Sequence, residues 1–244
     1  MGKRFWLIVN VVIKESDVVL EVLDARFIDE TRNLEIEEKI EQQGKKLIHV
    51  VNKIDLVDKE SIKEKLKELS NPIFVASKER LGITILRNKI LELGQRENIV
   101  VGVVGYPNTG KSSVINALAG GRKAKTSSVS GFTRAIQKIK ATNRIMLLDT
   151  PGVFPFEEKD EIKHTLIGAK SPEQIKEPDL VAMSLIKALN GRIEKHYGVD
   201  VDEDYEVTLE NIAKKMHKFR KGGVPDVLTA SKIIIKEWQI GKIK

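Results

Sequence analysis

The chain has 244 residues, of which 41% are hydrophobic and 32% charged, a balance typical of a globular protein with its own core. It has no cysteine, which excludes disulfides and thiolate metal sites, and no apolar run of the roughly 18 residues that a membrane span requires. Lysine and arginine outnumber aspartate and glutamate by 42 to 35, and the net charge of +7 favours a polyanionic partner. We expect a cytoplasmic monomer that does not contact membranes.

Apolar strands alternate with helices as far as residue 150. The pattern predicts helices at 2–15, 31–43, 59–69, 82–93 and around 114–118, and buried strands at 18–23, 47–51, 73–75 and 99–104. A glycine-, serine- and lysine-rich stretch at 120–133 is predicted as a mobile loop, and a strand pair at 134–141 and 144–148 follows it. This alternation predicts an α/β fold with a mostly parallel sheet and helices on both faces. In such sheets, ligands bind beyond the carboxyl ends of the strands.

The pattern changes after Gly152, where we find no further buried strand. Helices are predicted from Ser171 to about Leu189, at about 208–220, and from Pro225 to about Ile240. We place a domain boundary near residue 158, which gives an α/β domain at 1–158 and an all-helical domain at 159–244.

The stretch from Gly105 to Ser112 has the form Gly-x4-Gly-Lys-Ser and lies between a strand and a helix. This is the context of a phosphate-binding loop, in which glycines let backbone N–H groups point at phosphate oxygens and the helix adds its positive N-terminal end. Lys111 can reach the β- and γ-phosphates, and the Ser112 hydroxyl can bind Mg2+. The alternative, a chance turn after a strand, does not account for the filled positions and flanks. The predicted nucleoside triphosphate site contains Asn108, Thr109, Gly110, Lys111, Ser112 and Ser113.

The base is indicated by a second strand end, where Asn52-Lys53-Ile54-Asp55 has the form Asn-Lys-x-Asp. The Asp55 carboxylate can accept hydrogen bonds from the N1–H and 2-amino groups of guanine, and adenine lacks that amino group. Asn52 can bond the purine edge, and Lys53 can pack along the ring. Ala76 and Ser77, after the next strand, could supply an amide to the guanine oxygen. Both stretches could also be ordinary turns at strand ends.

The Mg2+ and γ-phosphate side is indicated by Asp149-Thr150-Pro151-Gly152 and by Thr133. The Asp149 carboxylate can hold Mg2+ through water, the Gly152 N–H can reach the γ-phosphate, and the Thr133 hydroxyl can close onto the metal. A Pro-Gly turn is the bland alternative. We therefore predict Mg2+ ligands at Ser112, Thr133 and Asp149, and catalytic roles for Lys111, Thr133 and Gly152.

Together these motifs resemble those of the Ras-like GTPases, but the base motifs precede the phosphate loop instead of following it. The chain looks like a circularly permuted GTPase, and within that group it most resembles the YlqF/RbgA ribosome-assembly family and its archaeal relatives. The resemblance rests on residues 17–26, 52–55, 105–113, 131–133 and 149–153. It implies a permuted phosphate-loop GTPase sheet followed by a helical domain. The proline usual after Asp-Ala-Arg is absent, which leaves the role of that loop open.

The resemblance implies hydrolysis of GTP to GDP and phosphate with Mg2+ as cofactor. The glutamine that orients water in conventional GTPases is replaced by Val153, so we expect slow intrinsic hydrolysis and a water positioned from elsewhere. Asn108 resembles the asparagine that helps to hold K+ in potassium-dependent GTPases. Residues 153–165 lead directly into the helical domain, so we expect GTP and GDP to place residues 160–244 differently.

The C-terminal stretch 211–244 is strongly basic, with nine lysines and arginines against Asp226 and Glu237. On a helix, Lys214, Lys218 and Lys221 would share one face, which suits phosphate contacts or is simply solvated. No aromatic RNA-binding motif is visible, so recognition of RNA backbone and shape is expected. With the resemblance, this predicts rRNA of the large ribosomal subunit or its precursor as partner. The predicted RNA-binding residues are Lys214, Lys215, Lys218, Arg220 and Lys221.

Two other functions remain open from the sequence. A GTP-dependent regulatory module with little hydrolysis would act on a protein partner, and Val153 and the acidic segment at 200–210 allow this. A GTPase serving membrane transport or tRNA modification is disfavoured, because no membrane segment and no modification domain is visible.

Overall fold

A computed structural model describes residues 2–58, 60–120, 136–150, 152, 163–164, 167–168 and 170–243. Its contacts divide the chain into two compact units, residues 1–159 and 160–244. Thr133, Val153, most of the loop predicted at 120–133 and most of the 153–165 segment lie outside the described residues. None of the described helices has the length and hydrophobicity that a membrane crossing needs.

The first unit is built on a six-stranded sheet. Its strands are β1 (Val18–Asp24), β2 (Lys46–Asn52), β3 (Ile73–Val75), β4 (Ile99–Val104), β5 (Gln137–Lys140) and β6 (Ile145–Asp149), in the order β3-β2-β1-β4-β6-β5. All neighbours are parallel except β5, which runs antiparallel to β6 at the edge. The predicted mostly parallel α/β sheet is confirmed.

Helices cover both faces of this sheet. They are α1 (Gly2–Glu15), α2 (Ile28–Thr31), α3 (Leu34–Gln42), α4 (Ile83–Gly94) and α5 (Lys111–Leu118). Leu86 of α4 and Val114 of α5 pack on one face with alternate strand residues such as Leu20. Ile13 of α1 and Ile36 of α3 belong to the core on the other face. The central strands β1, β4 and β6 are buried on both faces, which explains their largely apolar sequences.

The prediction of a helix at 59–69 is wrong. The described residues there form 3-10 turns at Glu60–Ile62 and Lys65–Glu68 instead. The three apolar residues of this segment, Ile62, Leu66 and Leu69, pack into the core from these short turns. Its lysines pair with glutamates three positions away, Lys63 with Glu60 and Lys67 with Glu64. That spacing suits the threefold repeat of a 3-10 turn.

A charged network is buried between β1, β2 and α3. His49 Nε2 lies 3.2 Å from Glu21 Oε2 and 3.3 Å from Glu37 Oε1, and two Arg32 nitrogens each donate to Glu37 at 2.9 Å. Burial opposes a charge on His49, but the two carboxylates outweigh it and raise its pKa to about 9. Two cations then balance two carboxylates. The ligand atoms of Glu21, Glu37 and His49 also lie close enough together to hold a metal ion.

The described part of the second unit is helical. Its helices are α6 (Pro178–Leu189), α7 (Arg192–Tyr197), α8 (Tyr205–Lys215) and α9 (Val227–Gln239). Helix α9 packs against α6 and α8, and its core-facing residues include the buried Ile234 and Trp238. The predicted capping box at Ser171 is present, but it opens a 3-10 turn that ends at Gln174, and α6 starts afresh at Pro178. The restart fits the restriction that a proline places on the residue before it.

The helix predicted at 208–220 is too long, because α8 ends at Lys215. His217 has a left-handed backbone (φ 54), and Lys218 N donates to the Ala213 carbonyl at 2.9 Å. With the bond from His217 N to the Lys214 carbonyl, this is the Schellman pattern that closes helices, here with histidine where glycine is usual. Lys218 and Lys221 therefore do not share a helix face with Lys214.

Residues 218–226 form a tight reversal of the chain instead, which we call the basic turn. Arg220 N donates to the Val224 carbonyl at 2.8 Å, and Arg220 Nε lies 3.2 Å from Asp226 Oδ1. Phe219 forms an isolated bridge with Pro225, yet 49% of Phe219 is exposed. The turn thus presents an aromatic ring among basic side chains, which the helical prediction did not foresee.

Candidate nucleotide-binding site

The predicted motifs meet at the carboxyl edge of the sheet. Strands β2, β1, β4 and β6 are neighbours in that order, so their ends bring Asn52, Asp24, Gly105 and Asp149 to one edge. Three of these four strand ends carry residues with a predicted site role, and the fourth, at Asp24, lies in the 17–26 stretch on which the family resemblance rests. Their order along the chain is permuted, but the sheet places them on neighbouring strands.

The phosphate loop joins β4 to α5 through backbone conformations that only glycine adopts easily. Gly105 (φ +133) lies so close to β1 that a Cβ would be 2.6 Å from the Val22 carbonyl oxygen. Gly110 (φ +100) lies against Asn52, whose Nδ2 would be 2.2 Å from a Cβ. Because α5 starts at Lys111, the N-terminal N–H groups of the helix follow the loop directly. This arrangement suits an anion.

Lys111 is buried within the loop. Its Nζ donates to the carbonyl oxygens of Gly105 at 3.0 Å and Tyr106 at 2.6 Å. Burial lowers the pKa of the Lys111 ammonium to about 8. Gly152 lies close by, since a Cβ at that position would be 2.6 Å from Pro107 Cα and 3.0 Å from Lys111 Nζ. The fold therefore brings together Lys111 and Gly152, the two residues predicted to contact the γ-phosphate.

Ser112 and Asp149 face each other, with 3.5 Å between Ser112 Oγ and Asp149 Oδ2. Asp149 Oδ1 is buried and has no hydrogen-bond partner among the described residues. Burial raises the pKa of this carboxyl group. A hydroxyl beside an unsatisfied buried carboxylate oxygen fits the oxygen-ligand chemistry of Mg2+. The third predicted ligand, Thr133, lies outside the described residues.

Asn52 connects the turn formed by residues 52–55, which we call the base turn, to two other stretches. Its Nδ2 donates to the Thr109 carbonyl at 2.9 Å, and its Oδ1 accepts from Ser77 N at 3.2 Å. The Ala76 amide donates to the Leu81 carbonyl, so both predicted amides already have acceptors in the protein. A contact of either amide with guanine would have to share or replace that bond. Asp55, in the 3-10 turn after β2, has an exposed side chain.

Lys53 is held by two groups. Its Nζ donates to the Asn108 carbonyl at 2.9 Å and to Asp24 Oδ2 at 2.7 Å. Asp24 also accepts hydrogen bonds from Nε and Nη2 of Arg26. The motifs predicted no site role for Asp24 or Arg26. A signal was available, since Asp24-Ala25-Arg26 lies in the 17–26 stretch of the family resemblance, and Asp24 ends the strand between the base motif and the phosphate loop.

Comparison with known proteins agrees with this geometry. The family model described as 50S ribosome-binding GTPase matches residues 100–221, and the RsgA GTPase model matches residues 28–158. An uncharacterized GTP-binding protein of Methanocaldococcus jannaschii is 46% identical over 97% of this chain and 65% of its own length. Nucleolar GTP-binding protein 2 of Yarrowia lipolytica is 36% identical over 99% of this chain and 50% of its own. The chain thus spans less than two thirds of these curated relatives.

A GDP-bound structure of YlqF matches with a TM-score of 0.67 and 24% identity, over 96% of this chain and 94% of the YlqF chain. The fold and the site define a phosphate-loop GTPase whose elements are circularly permuted. The chain belongs to the family of 50S ribosome-binding and RsgA-type GTPases and has the fold of YlqF. The resemblance drawn from the motifs is confirmed.

Proposed function

We propose that this protein hydrolyses GTP to GDP and phosphate and uses that cycle to bind and release the large ribosomal subunit or its precursor. The observation that carries the nucleotide part is the joining of the base turn to the phosphate loop by Asn52. The ribosomal part is supported by the matched family's description and by the nucleolar name of one relative. We further propose that it acts as a cytoplasmic monomer.

In the proposed reaction, Lys111 exchanges its carbonyl partners for oxygens of the β- and γ-phosphates. Its ammonium then neutralises charge that develops on the transferred group. The loop N–H groups and the start of α5 add to this stabilisation. We propose that the Gly152 amide binds the γ-phosphate. The support is that a Cβ at Gly152 would clash with Pro107 and lie 3.0 Å from Lys111 Nζ, so only glycine lets the backbone approach this point.

Ser112 and Asp149 would hold Mg2+, with Thr133 as the third proposed ligand. The ion supplies positive charge to the phosphate oxygens when it is bound. The chain's own contribution is to fix the two oxygens. Asp149 ends β6 and Ser112 lies in the first turn of α5, so both ligands come from rigid elements.

Val153 offers no polar group to orient water, so we propose slow intrinsic hydrolysis. A cation beside the β- and γ-phosphates can substitute for an arginine finger, which contributes roughly 10^3 to 10^5 in rate in other GTPases. We propose Asn108 as a K+ ligand, because it matches the asparagine that helps to hold K+ in the potassium-dependent GTPases that this motif resembles. Turnover should be faster in KCl than in NaCl, and equal rates would remove the potassium role.

We propose that the basic turn and the end of α8 contact rRNA phosphates. Lys214, Lys215, Arg220 and Lys221 are exposed and Lys218 is half-buried. The turn is held by its own hydrogen bonds, so ordering it on RNA costs little conformational entropy. The half-exposed ring of Phe219 can stack on an unpaired base. The proposed RNA-binding set is Lys214, Lys215, Lys218, Arg220 and Lys221.

Co-sedimentation with large ribosomal subunits in GTP, GDP and a non-hydrolysable analogue tests the proposal. We expect the protein to pellet with subunits in GTP and the analogue and to remain in solution in GDP. Glutamine at positions 214, 218 and 221 should abolish pelleting, whereas glutamine at the exposed Lys187 and Lys195 of the same unit should not. Pelleting that is equal in all three nucleotides, or absent in all, would contradict the assembly role. A protein that binds GTP but never subunits would favour the regulatory-module alternative.

A further inference from the structure

Asp24 is a fully buried carboxylate that two cations enclose. Its Oδ1 accepts from Arg26 N at 3.1 Å and Arg26 Nε at 3.0 Å. Its Oδ2 accepts from Arg26 Nη2 at 2.8 Å and Lys53 Nζ at 2.7 Å. Burial opposes the charge on Asp24, but Lys53 and Arg26 outweigh it and hold the pKa of the carboxyl group well below its usual range. Asp24 therefore stays ionised.

Lys53 adopts a conformation that its surroundings must enforce. Its backbone is left-handed (φ 64), which is unfavourable for a residue other than glycine, asparagine or aspartate. The ammonium is drawn away from solvent to Asp24 and to the Asn108 carbonyl, which leaves 21% of the side chain exposed. Such strain persists where neighbouring groups over-determine the conformation. Here the enforcing groups are the Asp24 carboxylate and the phosphate-loop carbonyl.

We propose that Asp24 is a positioning residue for guanine nucleotide binding, which acts through Lys53. Held by Arg26, it fixes the Lys53 ammonium on the Asn108 carbonyl and so locks the base turn to the phosphate loop. This inference rests on the proposed binding of GTP at this edge. Removal of the carboxylate leaves two buried cations without their shared partner, so Lys53 withdraws and the base turn relaxes.

The base turn is common to GDP and GTP, so the affinity for both should fall by the same factor. We expect about tenfold to a hundredfold weaker binding for Asp24→Asn, the effect of losing one hydrogen bond to a charged group. The ratio of GDP to GTP affinity should stay as in the wild type. A defect in the γ-phosphate half of the site would change that ratio.

A double-mutant cycle tests the inference, with fluorescent GDP and GTP as ligands and thermal unfolding as the stability readout. Asp24→Asn, Lys53→Met and the double variant are compared with wild type. We expect the double variant to bind no more weakly than Lys53→Met alone, because Asp24 acts only through Lys53. Effects that multiply, or an Asp24→Asn variant that binds like wild type, would overturn the inference. Failure of the wild type to bind either nucleotide would instead refute the proposed function.

Glu21→Gln is the matched control, since Glu21 is another fully buried carboxylate of β1, paired with His49 away from the site. It should lower the unfolding temperature and leave nucleotide affinity unchanged. If Asp24→Asn does not fold, Arg26→Lys serves in its place, because it keeps the charge and loses the paired hydrogen bonds. Arg26→Lys should weaken binding in the wild-type background and have no effect beside Lys53→Met. Equal weakening in both backgrounds would overturn the inference.

Discussion

Asn52 and Thr109 lie 57 positions apart in the chain, yet Asn52 Nδ2 donates to the Thr109 carbonyl at 2.9 Å. The same carboxamide accepts from Ser77 N, and only 1% of Asn52 is exposed. One side chain therefore joins the base turn, the phosphate loop and the loop after β3. Because the amide uses both its donor and its acceptor, no other residue type of similar size can replace it.

Asn52→Asp should weaken GDP binding at least about tenfold and lower the free energy of unfolding by about 1–3 kcal/mol. The carboxylate has the same shape but cannot donate to Thr109, so a buried acceptor faces an acceptor. Nucleotide titration and denaturant unfolding measure the two effects. Asn71→Asp is the control, since Asn71 Nδ2 also donates to a carbonyl, that of Leu47, but the residue is exposed. Nucleotide affinity that survives Asn52→Asp would contradict the bridging role.

Nucleotide affinity should fall as the pH rises above about 8. Lys111 is proposed to bind phosphate in its protonated form, and burial lowers its pKa to about 8 in the free protein. Because binding requires this one proton, the affinity should fall by up to about tenfold for each pH unit above that pKa. GDP dissociation constants between about pH 6.5 and pH 9 measure the effect. Lys111→Arg remains charged over this range, so its profile should lack the bend, and identical profiles for both proteins would refute the assignment.

Gly152→Ala should weaken GTP binding more than GDP binding, by about tenfold or more for GTP. The added Cβ would meet Pro107 Cα and N at 2.6 Å, so the backbone must move at the point where the γ-phosphate is proposed to bind. Gly120→Ala is the control: its left-handed backbone (φ +65) makes alanine unfavourable there, so stability can fall, but a Cβ meets no atom within 4 Å and nucleotide affinity should not change. Equal losses for GDP and GTP would show that Gly152 does not sense the γ-phosphate.

The buried network around His49 should make the fold less stable in alkali. The pKa of His49 is raised from 6.5 to about 9 in the fold, against burial, by Glu21 and Glu37, with Arg32 pairing Glu37. Because the folded pKa is the higher one, this stabilisation is complete below about pH 6.5 and is lost as the pH rises through about 9. We expect a loss of about 1–3 kcal/mol over that window, measured by urea unfolding. His49→Gln should be less stable at pH 6.5 and should lack this slope.

The strands and the phosphate loop could be predicted from sequence because their signals are local. A continuous apolar run such as the one at 99–104 is a strand, and Gly-x4-Gly-Lys-Ser after it restricts the following turn. Family resemblance then supplied the permuted order, which the sheet order confirms. The errors lie where tertiary contacts or an unusual cap decide the outcome. The clearest is the end of α8, where histidine adopts the conformation that glycine usually signals.

The Asp24 contacts could not be predicted from spacing. Asp24 and Lys53 are 29 positions apart, and their proximity follows from the parallel pairing of β1 with β2. The register places Asp24 directly beside Asn52, one residue before Lys53. A sequence motif identifies the lysine, whereas its partner is found only after the strands are aligned. The contact between Glu21 and His49 could not be predicted either, since each is a single polar residue within an apolar strand of the sequence.

Base specificity tests most directly the claim that these stretches form one guanine-nucleotide site. Wild-type protein should bind GDP far more tightly than ADP or xanthosine diphosphate, because the Asp55 carboxylate is proposed to accept from both N1–H and the 2-amino group of guanine. In Asp55→Asn, the amide oxygen still accepts from N1–H while the amide nitrogen donates to the 2-oxo group of xanthine. We therefore expect this variant to prefer xanthosine diphosphate over GDP. Unchanged GDP affinity in Asp55→Asn, or equal binding of ADP and GDP by the wild type, would contradict it.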